Sequence, residues 1–273
     1  MKKMTRDEYK EILLGNLEYI DNICRKNNIN YTLIGGSLIG AIRHNGMIPW
    51  DDDIDIALLR DDYDKLVKAI EDDNNQSYVV NTWKNNDTYY YPYAKLINTS
   101  TFIKEKNLKE INNYGLFVDI FPIDNVPNNF QRFFYFRKKI YRKLICGLTS
   151  DKVKNEKFSF LKNIRIFVAK KIIGRDKILA NYEKLCEKFN NTTCSLGMTP
   201  WFTYGRQNET WELKLFSKYI DKPFENLKVK VISDYDFLLK KVYGDYMILP
   251  PPEKRVTHGI DAYWRDDCYE EKK

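Results

Sequence analysis

IGGSLIGAIRHNGMIPWDDDIDI, residues 34–56, is the stretch on which the reading of this chain turns. A Gly-Gly-Ser turn, Gly35 to Ser37, follows a short apolar run. Glycines there let the backbone bend and bring its amides close to a phosphate. Downstream, Asp51, Asp52, Asp53 and Asp55 crowd the start of a second apolar run. Residues two apart in a strand share a face, so Asp53 and Asp55 stand together while Ile54 and Ile56 turn to the core. Two carboxylates so placed repel each other unless a cation lies between them. A hard divalent ion such as Mg²⁺ satisfies them and usually brings substrate phosphates with it. The stretch points to a metal-dependent enzyme acting on a nucleotide or phosphodiester. A calcium loop does not fit: counted from Asp51, the sixth position is Ile56 instead of Gly and the twelfth is Asp62 instead of Glu.

Outward from this motif the chain alternates helices and strands. Thr5 and Glu8 form a capping box, and Leu13, Leu17, Ile20 and Cys24 recur at helical spacing, which predicts a helix over about 6–27. Tyr31 to Ile34 reads as a strand, and Ser37 as the N-cap of a helix reaching Arg43. Ile54–Leu59 reads as a strand and Asp62–Glu71 as a helix. Further strands are expected at 78–83, 90–98, Thr101–Lys104 and within GLFVDIFPID, residues 115–124, where Pro122 should end the strand. Asp119 lies inside that apolar run, a costly place for a carboxylate without a partner. It is either a hydrogen-bonded structural group or a third metal ligand, and the earlier Asp pair favours the second reading. From 129 to 190 the pattern becomes helical and basic. Phe133, Phe136, Ile140, Leu144 and Leu148 make one apolar stripe, and Leu161, Ile164, Val168 and Ile172 another. Near the C-terminus Leu227–Ile232 has strand character, and Ser233 with Asp236 should cap a helix ending near Tyr243. The fold class is α/β in the α+β sense. A nucleotidyltransferase-like core over 1–128 is followed by a basic helical insertion over 129–195. A mixed segment, 196–273, completes the core.

Composition narrows the function. The 273 residues carry a net charge of +7, with 43% hydrophobic, 30% charged and 15% aromatic residues. Between Arg132 and Lys177 there are fifteen Lys/Arg against three acids, so the positive charge is concentrated in the helical block and implies an anionic partner. Five scattered cysteines without a CxxC pair, and only two histidines, argue for reduced thiols and against structural zinc. MKKMTRDEYK does not resemble a signal peptide, and no stretch approaches a membrane span. The expected location is the cytoplasm, with peripheral contact to the anionic inner face of the membrane through the basic helices. Nothing resembles a nucleic-acid-binding module.

GGSLIGAIRHNGMIPWDDDIDIAL (35–58) resembles the signature of the LicD family of phosphocholine transferases, relatives of the fukutin-type proteins. GLFVDIFPID and YGDYMILPPPEKR (243–255) resemble that family's middle and C-terminal segments, so the likeness spans about residues 6–260. It implies a nucleotidyltransferase fold and Mg²⁺-dependent transfer of phosphocholine, or a similar phospho-alcohol, from a CDP-linked donor such as CDP-choline. Mn²⁺ is an alternative ion. The acceptor would be a hydroxyl of a cell-surface glycan or lipid-linked glycan precursor: teichoic acid, capsule or lipopolysaccharide. By the resemblance Asp53, Asp55 and Asp119 are the metal-binding and catalytic carboxylates, and Gly35, Gly36 and Ser37 the phosphate turn. Arg43, His44, Lys95, Arg255 and His258 are candidates for further phosphate or nucleotide contacts. Choline cannot donate hydrogen bonds and needs an aromatic cage. Trp83, Tyr89, Tyr91 and Tyr93 are the candidates. Two rivals remain: transfer of NMP from an NTP to a small molecule, and a noncatalytic nucleotide- or glycan-binding relative.

Overall fold

The computed structural model describes residues 2–104, 111–149, 159–201, 210–255, 257 and 259–265. Helix α1 (Arg6–Lys26) begins with the capping box the sequence predicts: the Glu8 amide donates to Thr5 Oγ1 at 3.2 Å and the Thr5 amide to Glu8 Oε2 at 2.8 Å. Leu13, Leu17, Ile20 and Cys24 form its buried face. Strand β1 (Thr32–Leu33) leads into α2 (Gly35–Arg43), then β2 (Asp55–Leu59), α3 (Arg60–Asp73), β3 (Tyr78–Asn81), β4 (Ala94–Asn98), β5 (Thr101–Lys104) and β6 (Phe117–Val126). The helical block holds α4 (Gln131–Thr149), α5 (Ser159–Phe167), a π-helical turn (Val168–Ile173) and α6 (Arg175–Glu187). After it come β7 (Leu196–Met198), β8 (Trp211–Glu212), β9 (Tyr219–Phe224), β10 (Leu227–Ile232), α7 (Tyr235–Tyr243) and β11 (Asp261–Trp264). The mixed α/β architecture agrees with the class read from the sequence.

Among the described residues one sheet runs in the order β1-β2-β6-β4-β3, with β7 joined to β6 and β8 to β7. β2 and β6 pair in parallel, whereas β6 meets β4 and β7 antiparallel. The parallel register sets Asp55 opposite Asp119, and the antiparallel one sets Lys95 opposite Asp119. Three ionisable residues thus share one row across the middle of the sheet. Ile54, Ile56, Val118 and Ile120 are buried around them.

The structure corrects several readings. Pro122 does not end its strand. It falls between the part of β6 paired to β4 (117–120) and the part paired to β7 (124–126), where the missing N–H breaks neither antiparallel ladder. Helix α2 starts at Gly35, with Ile34 as an N-cap that gives no side-chain hydrogen bond. Ser37 is therefore in the first turn. Gly35 has φ +60°, a conformation that favours glycine. Helix α7 has Asp234 at its N-cap, and Asp236 instead accepts from the Tyr246 hydroxyl at 2.9 Å.

The helical stripes also differ from expectation. On α4 the buried side chains are Phe134, Lys138, Ile145 and Leu148, while Phe133, Phe136 and Ile140 face outward. Ile164 and Ile172 are likewise exposed. The core beneath the block is closed by α4 and α6 over Val126 and Met198. Arg60 on α3 clamps this region with a bidentate pair to the buried Asp124, at 2.8 and 2.6 Å, which Asn190 joins at 2.8 Å. Replacing one partner of a buried ion pair leaves an uncompensated charge. Arg60→Met should cost ~3–5 kcal/mol in urea unfolding, and Arg60→Met/Asp124→Leu should recover most of it. Equal losses in the single and double variants would show that the charge is not the cause.

Candidate active site

The site is built where the C-terminal part of the first motif meets β6 and β4. Asp55 opens β2 and Asp53 stands two residues before it. Asp119 is 7% exposed and Lys95 3% exposed, and the Lys95 ammonium forms a buried ion pair with the Asp119 carboxylate. Burial pushes Asp55 well above the ordinary carboxylate range, and the charges of Asp53, Asp119 and Asp51 push it the same way, opposed by Lys95. Four carboxylates and one ammonium thus act on one another here. Among the described residues no three His, Cys, Asp or Glu side chains close around one point as they stand. The crowding of carboxylates around Asp55 is nevertheless what a bound cation would relieve, and an all-oxygen donor set would suit Mg²⁺ or Mn²⁺.

Gly36 explains why the Gly-Gly-Ser segment and the acids are neighbours. A Cβ on Gly36 would come within 2.3 Å of Asp51 Oδ2, so the helix start and the acidic loop touch only because Gly36 has no side chain. Ser37 is buried, and its Oγ accepts from the Asp55 amide at 2.9 Å, which ties the first turn of α2 to the first residue of β2. The loop between them is held from α1. Arg6 donates to the carbonyls of Pro49 and Asp51 at 3.1 and 2.7 Å, and the Tyr9 hydroxyl to the carbonyl of Asp52 at 2.6 Å. Asp52 itself turns to the C-terminal segment and accepts from the Gly259 amide at 3.2 Å.

On the other side of this loop positive charge collects. Arg43 donates to the Tyr246 carbonyl at 2.6 Å and to His44 Nε2 at 3.0 Å. Arg255 donates to the Pro250 carbonyl at 2.8 Å, and its guanidinium lies 5.0 Å from the Trp50 ring centre. Trp50 meets the His44 ring edge-on at 6.2 Å. Burial and the charge of Arg255 lower the Arg43 pKa; burial and the charge of Arg43 lower that of His44. Both effects favour the neutral imidazole, and because Nε2 accepts from Arg43 the proton of that form belongs on Nδ1. The structure brings together Arg43, His44 and Arg255, three of the five side chains that the sequence offers for phosphate or nucleotide contacts. His258 lies outside the described residues. Lys95 stands apart from this group, inside the sheet against Asp119.

The candidate cage residues divide. Tyr89 and Tyr93 are buried core, with the Tyr89 hydroxyl on the Tyr93 carbonyl at 2.9 Å and the Tyr93 ring 4.3 Å from that of Phe121. Trp83 donates to Glu183 at 3.4 Å. Tyr91 is half-buried and meets Tyr93 at 5.4 Å and Trp201 at 6.3 Å. A cation already sits among these rings: the Lys95 ammonium lies 3.3 Å from the Phe117 ring centre and 5.1 and 5.5 Å from those of Tyr91 and Tyr93. Sequence reasoning missed Arg6, Tyr9 and the Lys95–Asp119 pair. The first two act through backbone carbonyls and leave no local pattern. The third was detectable as a lysine inside an apolar strand.

Comparison with known proteins bears on this arrangement. Residues 28–146 match the family model described as "LicD/FKTN/FKRP, nucleotidyltransferase domain". The chain is 32% identical over 272 residues to the lipopolysaccharide cholinephosphotransferase LicD of Haemophilus influenzae, covering 96% of this chain and 99% of that protein. It is 41% identical over 44 residues to the human ribitol 5-phosphate transferase FKRP, covering 16% of this chain and 9% of that protein.

Two substitutions test the junction of helix and acids. Gly36→Ala forces a methyl into the Asp51 carboxylate and should cost ~1–3 kcal/mol in urea unfolding. Ser37→Ala removes the acceptor of the Asp55 amide and should cost ~1 kcal/mol. A Gly36→Ala protein as stable as the parent would show that the two elements are not in contact.

Proposed function

The chain belongs to the LicD family of transferases, and we propose that it transfers phosphocholine from CDP-choline to a sugar hydroxyl of a lipopolysaccharide. The observation that carries this reading is the near full-length similarity to the Haemophilus enzyme, joined to a site in which crowded carboxylates adjoin a pair of arginines. A diphosphate carrying a divalent cation complements both halves.

Asp53 and Asp55, with Asp119, are the residues that would hold Mg²⁺ or Mn²⁺, and the ion would offset the charge of the diphosphate and of the departing CMP. Arg43 and Arg255 would bind the diphosphate oxygens, to which His44 offers its Nδ1–H. These contacts also hold the choline-bearing phosphorus in line with the acceptor. In the transfer the acceptor oxygen forms a bond to that phosphorus, the bond to the CMP oxygen breaks, and the acceptor proton passes to a carboxylate. Asp119 would take that role, a reading supported by the Lys95 ion pair that holds its carboxylate. Tyr91 and Trp201, half-buried and already beside the cations of Lys95 and Arg142, would be the rings to face a quaternary ammonium.

The test is transfer itself. With CDP-choline, Mg²⁺ and a lipopolysaccharide core oligosaccharide, CMP release should match the gain of one phosphocholine mass on the acceptor. Asp53→Asn and Asp55→Asn should each lower kcat by about 10³-fold or more, since each removes a charge that matters as the leaving phosphate departs. Arg255→Met should raise KM for CDP-choline roughly 10- to 100-fold, the worth of a charge-assisted hydrogen bond. Parallel reactions with CDP-ethanolamine, CDP-glycerol and CDP-ribitol assign the alcohol, and teichoic acid and capsule fragments the acceptor. Incorporation of NMP from an NTP would overturn the reading in favour of a nucleotidyltransferase.

A further inference from the structure

Helices α4 and α5 expose side chains that a folded protein ordinarily hides. On α4, Phe133 is 62% and Phe136 56% exposed, and Ile140 continues the same side. At 100° per residue these three fall within a narrow stripe, and the exposed Arg132, Lys139 and Lys143 flank it along one edge. On α5 and its π-helical extension, Phe160 is 73% exposed, Ile164 and Phe167 follow at helical spacing, and Lys171 ends the row. The two elements are packed together at Gly147, where an added Cβ would lie 3.2 Å from that of Ala169. Phe130 and Phe133 also form the lip of a cleft of about 490 Å³ whose wall includes Arg137, Lys188 and Phe189. Residues 131–149 and 159–173 together contain ten Lys/Arg and no Asp or Glu.

Apolar stripes edged by exposed cations, on helices that carry no acids, fit one surface better than others. A second copy of this chain would bring two strongly positive faces together. A soluble anionic polymer would satisfy the cations and leave the phenylalanines in water. An anionic bilayer meets both demands: phosphate headgroups take the Lys and Arg, and the interfacial region takes the Phe and Ile side chains. Among the described residues no helix is long and apolar enough to cross a membrane, so the association would be peripheral. We propose that α4 and the α5–π helix dock this protein on an anionic lipid surface, with Phe133, Phe136, Ile140, Phe160 and Phe167 entering the headgroup region. This goes beyond the transferase reading and does not depend on it. For an enzyme whose acceptor is made on a lipid, such docking would confine the search for substrate to the membrane plane.

The experiment is sedimentation of the full chain with vesicles of phosphatidylcholine alone or of equal parts phosphatidylcholine and phosphatidylglycerol. Binding is expected only to the second and should weaken as salt rises. Arg132→Gln/Lys139→Gln/Lys143→Gln should weaken it about 100-fold, from roughly 1 kcal/mol for each cation near the surface. Phe133→Ser/Phe136→Ser/Ile140→Ser should weaken it about tenfold or more. All six positions are exposed, so circular dichroism and the urea midpoint should match the parent. Equal binding to both vesicles would overturn the proposal. So would a serine variant that binds like the parent, which would mark adsorption by charge alone. A concentration-dependent dimer that the serine variant abolishes, with no vesicle binding, would assign the face to a second copy.

Discussion

The parallel pairing of β2 with β6 places Asp55 beside Asp119 in the interior of the sheet, and the rest of the site answers the cost of that placement. Buried like charges are tolerated only with a counter-charge. Lys95, in register on the neighbouring strand, supplies one, and the rings of Phe117, Tyr91 and Tyr93 surround its ammonium. Asp53 and Asp51 add to the crowding of charge around Asp55. The supports follow from it: Gly36 makes room for Asp51, Ser37 anchors the Asp55 amide, and Arg6 and Tyr9 pin the acidic loop by its carbonyls.

Positive charge collects around Trp50 of the same loop. Arg255 lies close enough to disfavour the charge of Arg43, and both are held by backbone carbonyls from the 246–250 segment. Under the proposed reading, this pair and the carboxylate row would meet the two halves of a metal-bearing diphosphate.

Much of this was legible in the sequence, and unevenly so. The capping box of α1, the pairing of Asp53 with Asp55 and the burial of Asp119 followed from local pattern, because each depends on residues a few positions apart. Pro122 was misread as a strand end because its tolerance depends on where two other strands stop, which no local pattern records. Tyr89 and Tyr93 were grouped with Tyr91 as cage candidates, and the sheet took both into its core. On α4 the stripe of Phe133, Phe136 and Ile140 had helical spacing, but Phe134 and Ile145 won the packing against α6 and left it outside. Periodicity states which residues share a face and leaves open which face is covered.

The account rests on the claim that metal and CDP-linked donor bind as one unit at the Asp55–Asp119 row. Calorimetric titration of CDP-choline in the presence and absence of Mg²⁺ tests it most directly, with the reciprocal titration of Mg²⁺ at saturating and zero donor. The account predicts that each ligand tightens the other by the same factor, as linkage requires, and that Asp55→Asn abolishes the coupling. CDP-choline binding of equal strength with and without Mg²⁺, unchanged in Asp55→Asn, would contradict it.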